Sequence, residues 1–252
     1  MRLAFECPTN LLKSVQPLAD FDCILTHLVL TDKEYAEYYE KSTRFKILDN
    51  SVNEIGTPTS IKEIAEAASI VKPNLIVPPD YLNDHYSTIK DYFKCCSIFG
   101  KEKLLPVVQG STPLYIDNCI DTYRREGSSY FAIPYTILTS GVSTEEMAST
   151  RGRAIKRLAI SSSNDKFHLL GMTTLQELDY YRVNNYPIVS LDTGYPIANG
   201  LHGRKFGEDT LLSKDKPTLD HMKKPMSGEY PEIDYESVYY NIAYLRRLVN
   251  KE

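Results

Sequence analysis

The chain has 252 residues, of which 42% are hydrophobic and 25% charged, with no Trp and 19 Tyr; this balance excludes a disordered or low-complexity protein. Lys plus Arg number 29 against 33 for Asp plus Glu, a formal charge of −4. Bulk charge therefore gives no sign of nucleic-acid binding, and any such role must rest on a local patch.

Short apolar runs rich in β-branched residues alternate with longer stretches of helical period. Strands are expected at residues 2–5, 23–30, 45–48, 75–77, 104–108, 130–133, 167–170 and 188–191. Thr59-Ser60 precedes Ile61, Ile64, Ala65, Ala68 and Ile70 at helical spacing, with Glu63 and Glu66 between them. Ser143-Thr144-Glu145-Glu146 opens a second helix over 147–160 with a cap and early acids. A third covers 239–249 and carries Arg246-Arg247 near its end. Eight strands alternating with helices predict a parallel sheet, and eight is the number that closes a (β/α)8 TIM barrel. An open doubly wound sheet is the competing architecture, weakened because no GxGxxG or GxxxxGK[ST] follows the first strand. No repeat or linker-like shift divides the chain, so residues 1–252 are expected to be one domain. A long irregular active-site loop is expected over 193–232, rich in Gly and Pro.

No apolar run reaches the roughly 18 residues that span a bilayer. The start of the chain is too short an apolar stretch for a signal peptide. Cys7, Cys23, Cys95, Cys96 and Cys119 form an odd, scattered set without CxC or CxxC. They suit a reducing cytoplasm and argue against a structural zinc site. His27, His85 and His221 lie apart and suggest no metal constellation.

In such a barrel the active site lies at the C-terminal strand ends. The third strand ends in Leu48-Asp49-Asn50-Ser51, the fourth in Val77-Pro78-Pro79-Asp80 and the fifth in Val107-Val108-Gln109-Gly110. The last two end in His168-Leu169-Leu170-Gly171 and Leu191-Asp192-Thr193-Gly194. Singly, each Asp reads as a helix cap or turn residue, and Gln-Gly as a turn. Together they place three carboxylates and a carboxamide on one rim. Two carboxylates suit displacement at an anomeric carbon, one attacking carbon and the other moving a proton. An Asp with a Gln can read the edge of a purine.

These motifs, in this order over residues 45–203, resemble the tRNA-guanine transglycosylase superfamily. The resemblance implies a (β/α)8 barrel, with Asp192 as the nucleophile that holds a covalent glycosyl intermediate and Asp49 as general acid/base. It implies that Asp80, Gln109, Gly110, Leu170 and Gly171 bind the base, and that no organic cofactor is needed. The substrates implied are guanine and 7-deazaguanines such as 7-cyano-7-deazaguanine. The chain also departs from the family. No Cys follows Cys119, so the CxCxxC zinc subdomain is absent, and Ser51-Val52-Asn53 stand where the family has glycines. It is more similar to the shorter 7-deazaguanine DNA transglycosylases of phages and bacterial modification systems, which protect DNA from restriction. DNA is then the expected partner, in the bacterial cytoplasm or that of a phage's host, with tRNA as the alternative; a homodimer is compatible with either.

Such an enzyme must bind phosphates and extrude its target base. Asn199, Arg204, Lys205, Lys223 and Lys224, on the loop after Asp192, are the expected strand contacts. Arg151, Arg153, Lys156 and Arg157 form a second basic run that reads equally as a solvated helix face. Three rival readings remain: a zinc-free RNA transglycosylase, a non-catalytic partner-binding paralogue, and a barrel hydrolase of small glycosides. Retained Asp49 and Asp192 argue against the second, and the lack of Trp platforms weakens the third.

Overall fold

The computed structural model describes residues 1–138, 144–162, 164–172, 174–175, 177–178, 181, 186–207 and 235–250. Among these, seven strands lie in two parallel sheets. One has the order β1 (Arg2–Phe5), β7 (Ile188–Thr193), β6 (Lys166–Leu170), β5 (Tyr130–Pro134). The other has β2 (Asp22–Leu25), β3 (Lys46–Asp49) and β4 (Leu75–Ile76). Helices fill the connections: α1 (Leu12–Val15), α2 (Thr26–Thr31), α3 (Lys33–Lys41), α4 (Val52–Ile55), α5 (Ile61–Val71), α6 (His85–Phe99), α7 (Pro113–Arg125) and α8 (Thr144–Ser161). After β7 come α9 (Tyr195–Leu201) and α10 (Tyr235–Asn250).

Helix starts follow local chemistry. Ser60 and Glu63 form a reciprocal capping box at α5, the cap foreseen from Thr59-Ser60. Asp32, Asp84 and Thr112 each accept the N–H three residues on at α3, α6 and α7. Lys46 is buried at the start of β3 and donates from Nζ to the carbonyls of Tyr39 and Val71, each at 2.7 Å. One cation thereby satisfies the last turns of α3 and α5 and pins both to the strand.

Three expected elements differ. The strand over 23–30 stops at Leu25, and α2 begins at Thr26, whose hydroxyl donates to the Asp49 carbonyl at 2.5 Å. A continuous apolar run carries no period, so the sequence could not mark that change. Residues 104–108 form no strand; they make only isolated bridges, Ile76 to Leu104 and Val107 to Ala132. Pro106 has no N–H to give to a ladder, although its carbonyl accepts from Ala132 at 2.9 Å. The loop expected over 193–232 begins instead as the end of β7 followed by α9, with Pro196 in its first turn; residues 208–234 lie outside the described residues.

Strand residues divide by a period of two. Leu3, Phe5, Leu48, Phe131, Ile133, Phe167, Leu169 and Leu191 join the large core under the helices. Ala4, Cys23, Ile47 and Ala132 join Phe21, Val77, Leu105 and Val107 in a second, smaller core drawn from both sheets. The sheets therefore share an inner face. No ladder joins β1 to β2; Asp20 spans the gap, its N–H donating to the Leu3 carbonyl at 2.7 Å and its carboxylate accepting the Leu3 N–H at 2.8 Å. The same carboxylate accepts from Arg246 on α10 at 2.9 Å.

No helix among the described residues is long and apolar enough to cross a membrane, and all five cysteines are free thiols. Helices α9 and α10 meet at Gly200, where a Cβ would stand 2.5 Å from the Val238 Cα and 2.6 Å from its nitrogen. Gly200→Ala is expected to destabilise the protein by about 1–3 kcal/mol, read as a lower urea midpoint at unchanged slope.

Candidate active site

Asp192 sits near the end of β7 with Ser190 two residues before it on the same face. His168 of β6 is in register with Ser190 and shares that inner face. Its Nε2 lies 2.8 Å from Asp192 Oδ1, its Nδ1 lies 2.7 Å from Ser190 Oγ, and that oxygen lies 2.5 Å from the Tyr130 hydroxyl on β5. With a neutral ring and an ionised Asp192, one assignment satisfies every group: Tyr130 donates to Ser190, Ser190 to Nδ1, and Nε2–H to Asp192. Asp192 also accepts from the Gly171 N–H, at 3.1 Å through Oδ2. Gly171 has φ +71°, a backbone state that favours glycine.

Arg151 stands behind Gly171. Its guanidinium is fully buried and donates to the carbonyls of Ile133 (3.1 Å), Leu170 (3.3 Å) and Gly171 (2.9 Å). It also pairs with Glu177 and donates to the Tyr181 hydroxyl, which in turn donates to Glu177 at 2.6 Å. The charge therefore braces the turn that presents an N–H to Asp192.

Asp49 ends β3 and is buried, its Oδ2 accepting the Ser51 N–H at 2.7 Å. Ser51 has φ +61°, so the chain bends back sharply enough for this contact. Burial pushes the Asp49 carboxyl well above the ordinary range, and the negative charges of Glu54 and Asp192 push it further. Asp80 accepts Asn50 Nδ2 on one oxygen and Gln109 Nε2 on the other, both at 2.7 Å. Burial raises its carboxyl too, against the opposing pull of those two donors. Gln109 Oε1 accepts the Asn83 N–H at 3.2 Å. Beside it, Gly110 allows the backbone to close on α7: a Cβ there would meet the Ile116 nitrogen at 2.7 Å. Leu170 is half-buried, its carbonyl accepting from Arg151 and from the Tyr135 N–H.

Asp49, Leu170 and Asp192 thus lie at the C-terminal ends of parallel strands, Asp80 and Gly171 in the turns after β4 and β6, and Gln109 and Gly110 just past the bridged segment 104–108. The expected strand contacts fare differently. Asn199 is buried, donating to the Tyr195 carbonyl at 2.9 Å while its own carbonyl takes the His202 and Arg204 N–H groups, so it holds α9 together and is not a surface contact. Lys205 is paired with Glu236 at 2.6 Å and lies over the Tyr240 ring. Arg204 is half-buried, its carbonyl accepting from Asn241 at 2.8 Å. Lys223 and Lys224 lie outside the described residues. The basic run also loses members: Arg151 points inward, and Arg157 is paired with Asp117.

Sequence reasoning missed Glu6, Glu54 and Tyr130 and gave Arg151 to the surface. Glu6 had a readable signal, since it lies two residues past Ala4 and so keeps the inner face. Burial drives its carboxyl well above the ordinary range, with Asp192, Glu54 and Asp49 adding to the effect. Among the described residues one trio, Glu6, Cys23 and Asp192, brings carboxylate and thiol atoms within 4.8 Å of one another. Burial pushes the Cys23 thiol well up as well, and a thiol held protonated is a poor metal ligand.

No protein-family model and no curated protein sequence matches the chain.

Two outcomes follow from this geometry. Arg151→Leu leaves Glu177 buried without its cation and is expected to cost about 3–5 kcal/mol in urea unfolding. The pH profile of stability follows from the sign of the shifts. Glu6, Asp49 and Asp80 keep protons when folded that the unfolded chain releases, so their contribution is full below the ordinary carboxylate range and falls as pH rises through their raised values. Asp20, Glu63 and Asp84 are held low, and their contribution falls as pH drops. The urea midpoint is therefore expected to peak in weak acid and decline toward neutral pH.

Proposed function

We propose that this chain exchanges guanine in DNA for a 7-deazaguanine by double displacement at C1′, on a (β/α)8 barrel. The barrel reading follows from neighbours in space. Segment 104–107 bridges β4 and β5, and Asp20 joins the β1 and β2 edges, an order of neighbours that supports a ring of parallel segments. The shared inner core of small and medium side chains suits the inside of such a ring.

The observation that carries the chemistry is the contrast between two buried carboxylates. Asp192 receives donors from His168 and Gly171, which suit an anion. Asp49 is pushed toward its protonated form, which suits an acid. In this reading Asp192 attacks C1′ and the C1′–N9 bond breaks. Asp49 gives its proton to the departing guanine. The incoming base then returns a proton to Asp49, its N9 attacks C1′, and the bond to Asp192 breaks with its electron pair going back to the carboxylate. Two inversions retain the configuration at C1′. The donors that hold Asp192 also receive that returning charge. Asp80 and Gln109, already aligned by Asn50 and Asn83, keep a spare lone pair and a spare N–H for a purine edge.

DNA is preferred over tRNA because the CxCxxC motif of the tRNA enzymes is missing. A zinc-free RNA transglycosylase is the second reading, with the same site. Labelled guanine, a 7-deazaguanine panel, duplex DNA and tRNA in parallel assays separate the two, since incorporation into tRNA alone sinks the DNA reading. Asp192→Ala is expected to abolish exchange together with a nucleic-acid adduct that survives denaturation. Asp49→Asn is expected to slow exchange by about 10²–10⁴-fold. Wild-type rates in Asp192→Ala would overturn the mechanism.

A further inference from the structure

Glu6 has no part in the steps above, yet it adjoins the residue on which they turn. Ala4 pairs in register with Asp192, and the Glu6 N–H extends that pairing by donating to the Thr193 carbonyl at 3.2 Å. With a period of two, Glu6 keeps the face of Ala4, whose methyl leaves space beside Asp192. The Glu6 carboxylate comes within 4.8 Å of Asp192 and of the Cys23 thiol. The other groups acting on it are acidic: Asp49 from β3 and Glu54 from α4. His168 reaches Asp192, not Glu6, and Arg151 acts on Asp192 only through the Gly171 turn. Two adjacent carboxylates, Asp192 buried and Glu6 half-buried, repel if both are ionised, whereas one proton between them makes a hydrogen bond.

We propose that Glu6 is a positioning residue for Asp192: a neutral acid whose O–H is donated to the Asp192 carboxylate, so that the pair carries a single negative charge. Asp192 is then held by three donors, the Glu6 O–H, His168 Nε2–H and Gly171 N–H. The pair neither gains nor loses a proton during exchange. When the C1′–oxygen ester bond breaks in the second displacement, the electron pair returns to Asp192 and meets the same donors. The role as a nucleophile's partner rests on the reading of Asp192 given above; the shared proton does not.

Glu6→Gln keeps a neutral donor but cannot ionise, and Glu6→Ala removes the donor. The infrared carboxylic-acid band of the folded protein at neutral pH should lose intensity in Glu6→Gln, and the decline of the urea midpoint toward neutral pH should flatten. In exchange assays, Glu6→Ala should lower kcat by about 10- to 100-fold, as expected for a lost hydrogen bond to a charged group, with little change in KM. Glu6→Gln should recover most of that loss and lose the alkaline limb that Glu6 ionisation gives the wild type. An unchanged acid band and an unflattened midpoint in Glu6→Gln would overturn the shared proton. Wild-type kcat in Glu6→Ala, or an alkaline limb that persists in Glu6→Gln, would overturn the positioning role. If the wild type exchanges no base at all, the transglycosylase reading and the positioning role fall, while the infrared and unfolding measurements still decide on the proton.

Discussion

A guanidinium with no exposed surface braces the turn beside Asp192. Arg151 places one positive charge behind the ends of β5 and β6, and its donors reach three main-chain carbonyls, Glu177 and Tyr181. A buried charge is tolerable only when its hydrogen-bonding capacity is used, and here Nε and both terminal nitrogens find acceptors. Because those acceptors include Leu170 and Gly171, the cation braces the glycine turn. The turn's N–H then sets one side of Asp192, and His168 sets another. The reach from Glu177 through Arg151 and Gly171 to Asp192 is a chain of positions, each fixed by the one before.

Against this cation stand Glu6, Asp49, Glu54, Asp80 and Asp192. Their crowding would be prohibitive if every one were ionised, and burial resolves it by moving Glu6, Asp49 and Asp80 toward the protonated form. Asp192 is the member with imidazole and main-chain donors. The small inner residues Ala4 and Ala132 leave space for long polar neighbours.

Much of the framework was legible in sequence because strand and helix periods differ. Six of the eight expected strands match to within a residue or two, and the capping box at Ser60 was visible as Ser-x-x-Glu. The misses have definite causes. The run after Cys23 is apolar throughout and so has no period, while Pro106 removes a ladder donor from an otherwise strand-like segment. The candidate site residues stood out in sequence because each follows a strand-like run beside a turn signal. Arg151 was misplaced because its neighbours Arg153, Lys156 and Arg157 read as one charged face; only tertiary structure shows that this one residue turns inward. Ser51 is instructive in the same way: the resembled family carries glycine in that stretch, and here the backbone still takes a left-handed turn, φ +61°, held by the Asp49 contact.

The pairing of β1 with β7 brings residues near the start of the chain against residues about 190 positions later. Loop closure over that span is entropically slow, and local βα units assemble sooner. Glu6 and Asp192 therefore meet through a contact of high sequence separation. The mutually repelling acids thus come from strands far apart in sequence, and their juxtaposition depends on the β1–β7 ladder.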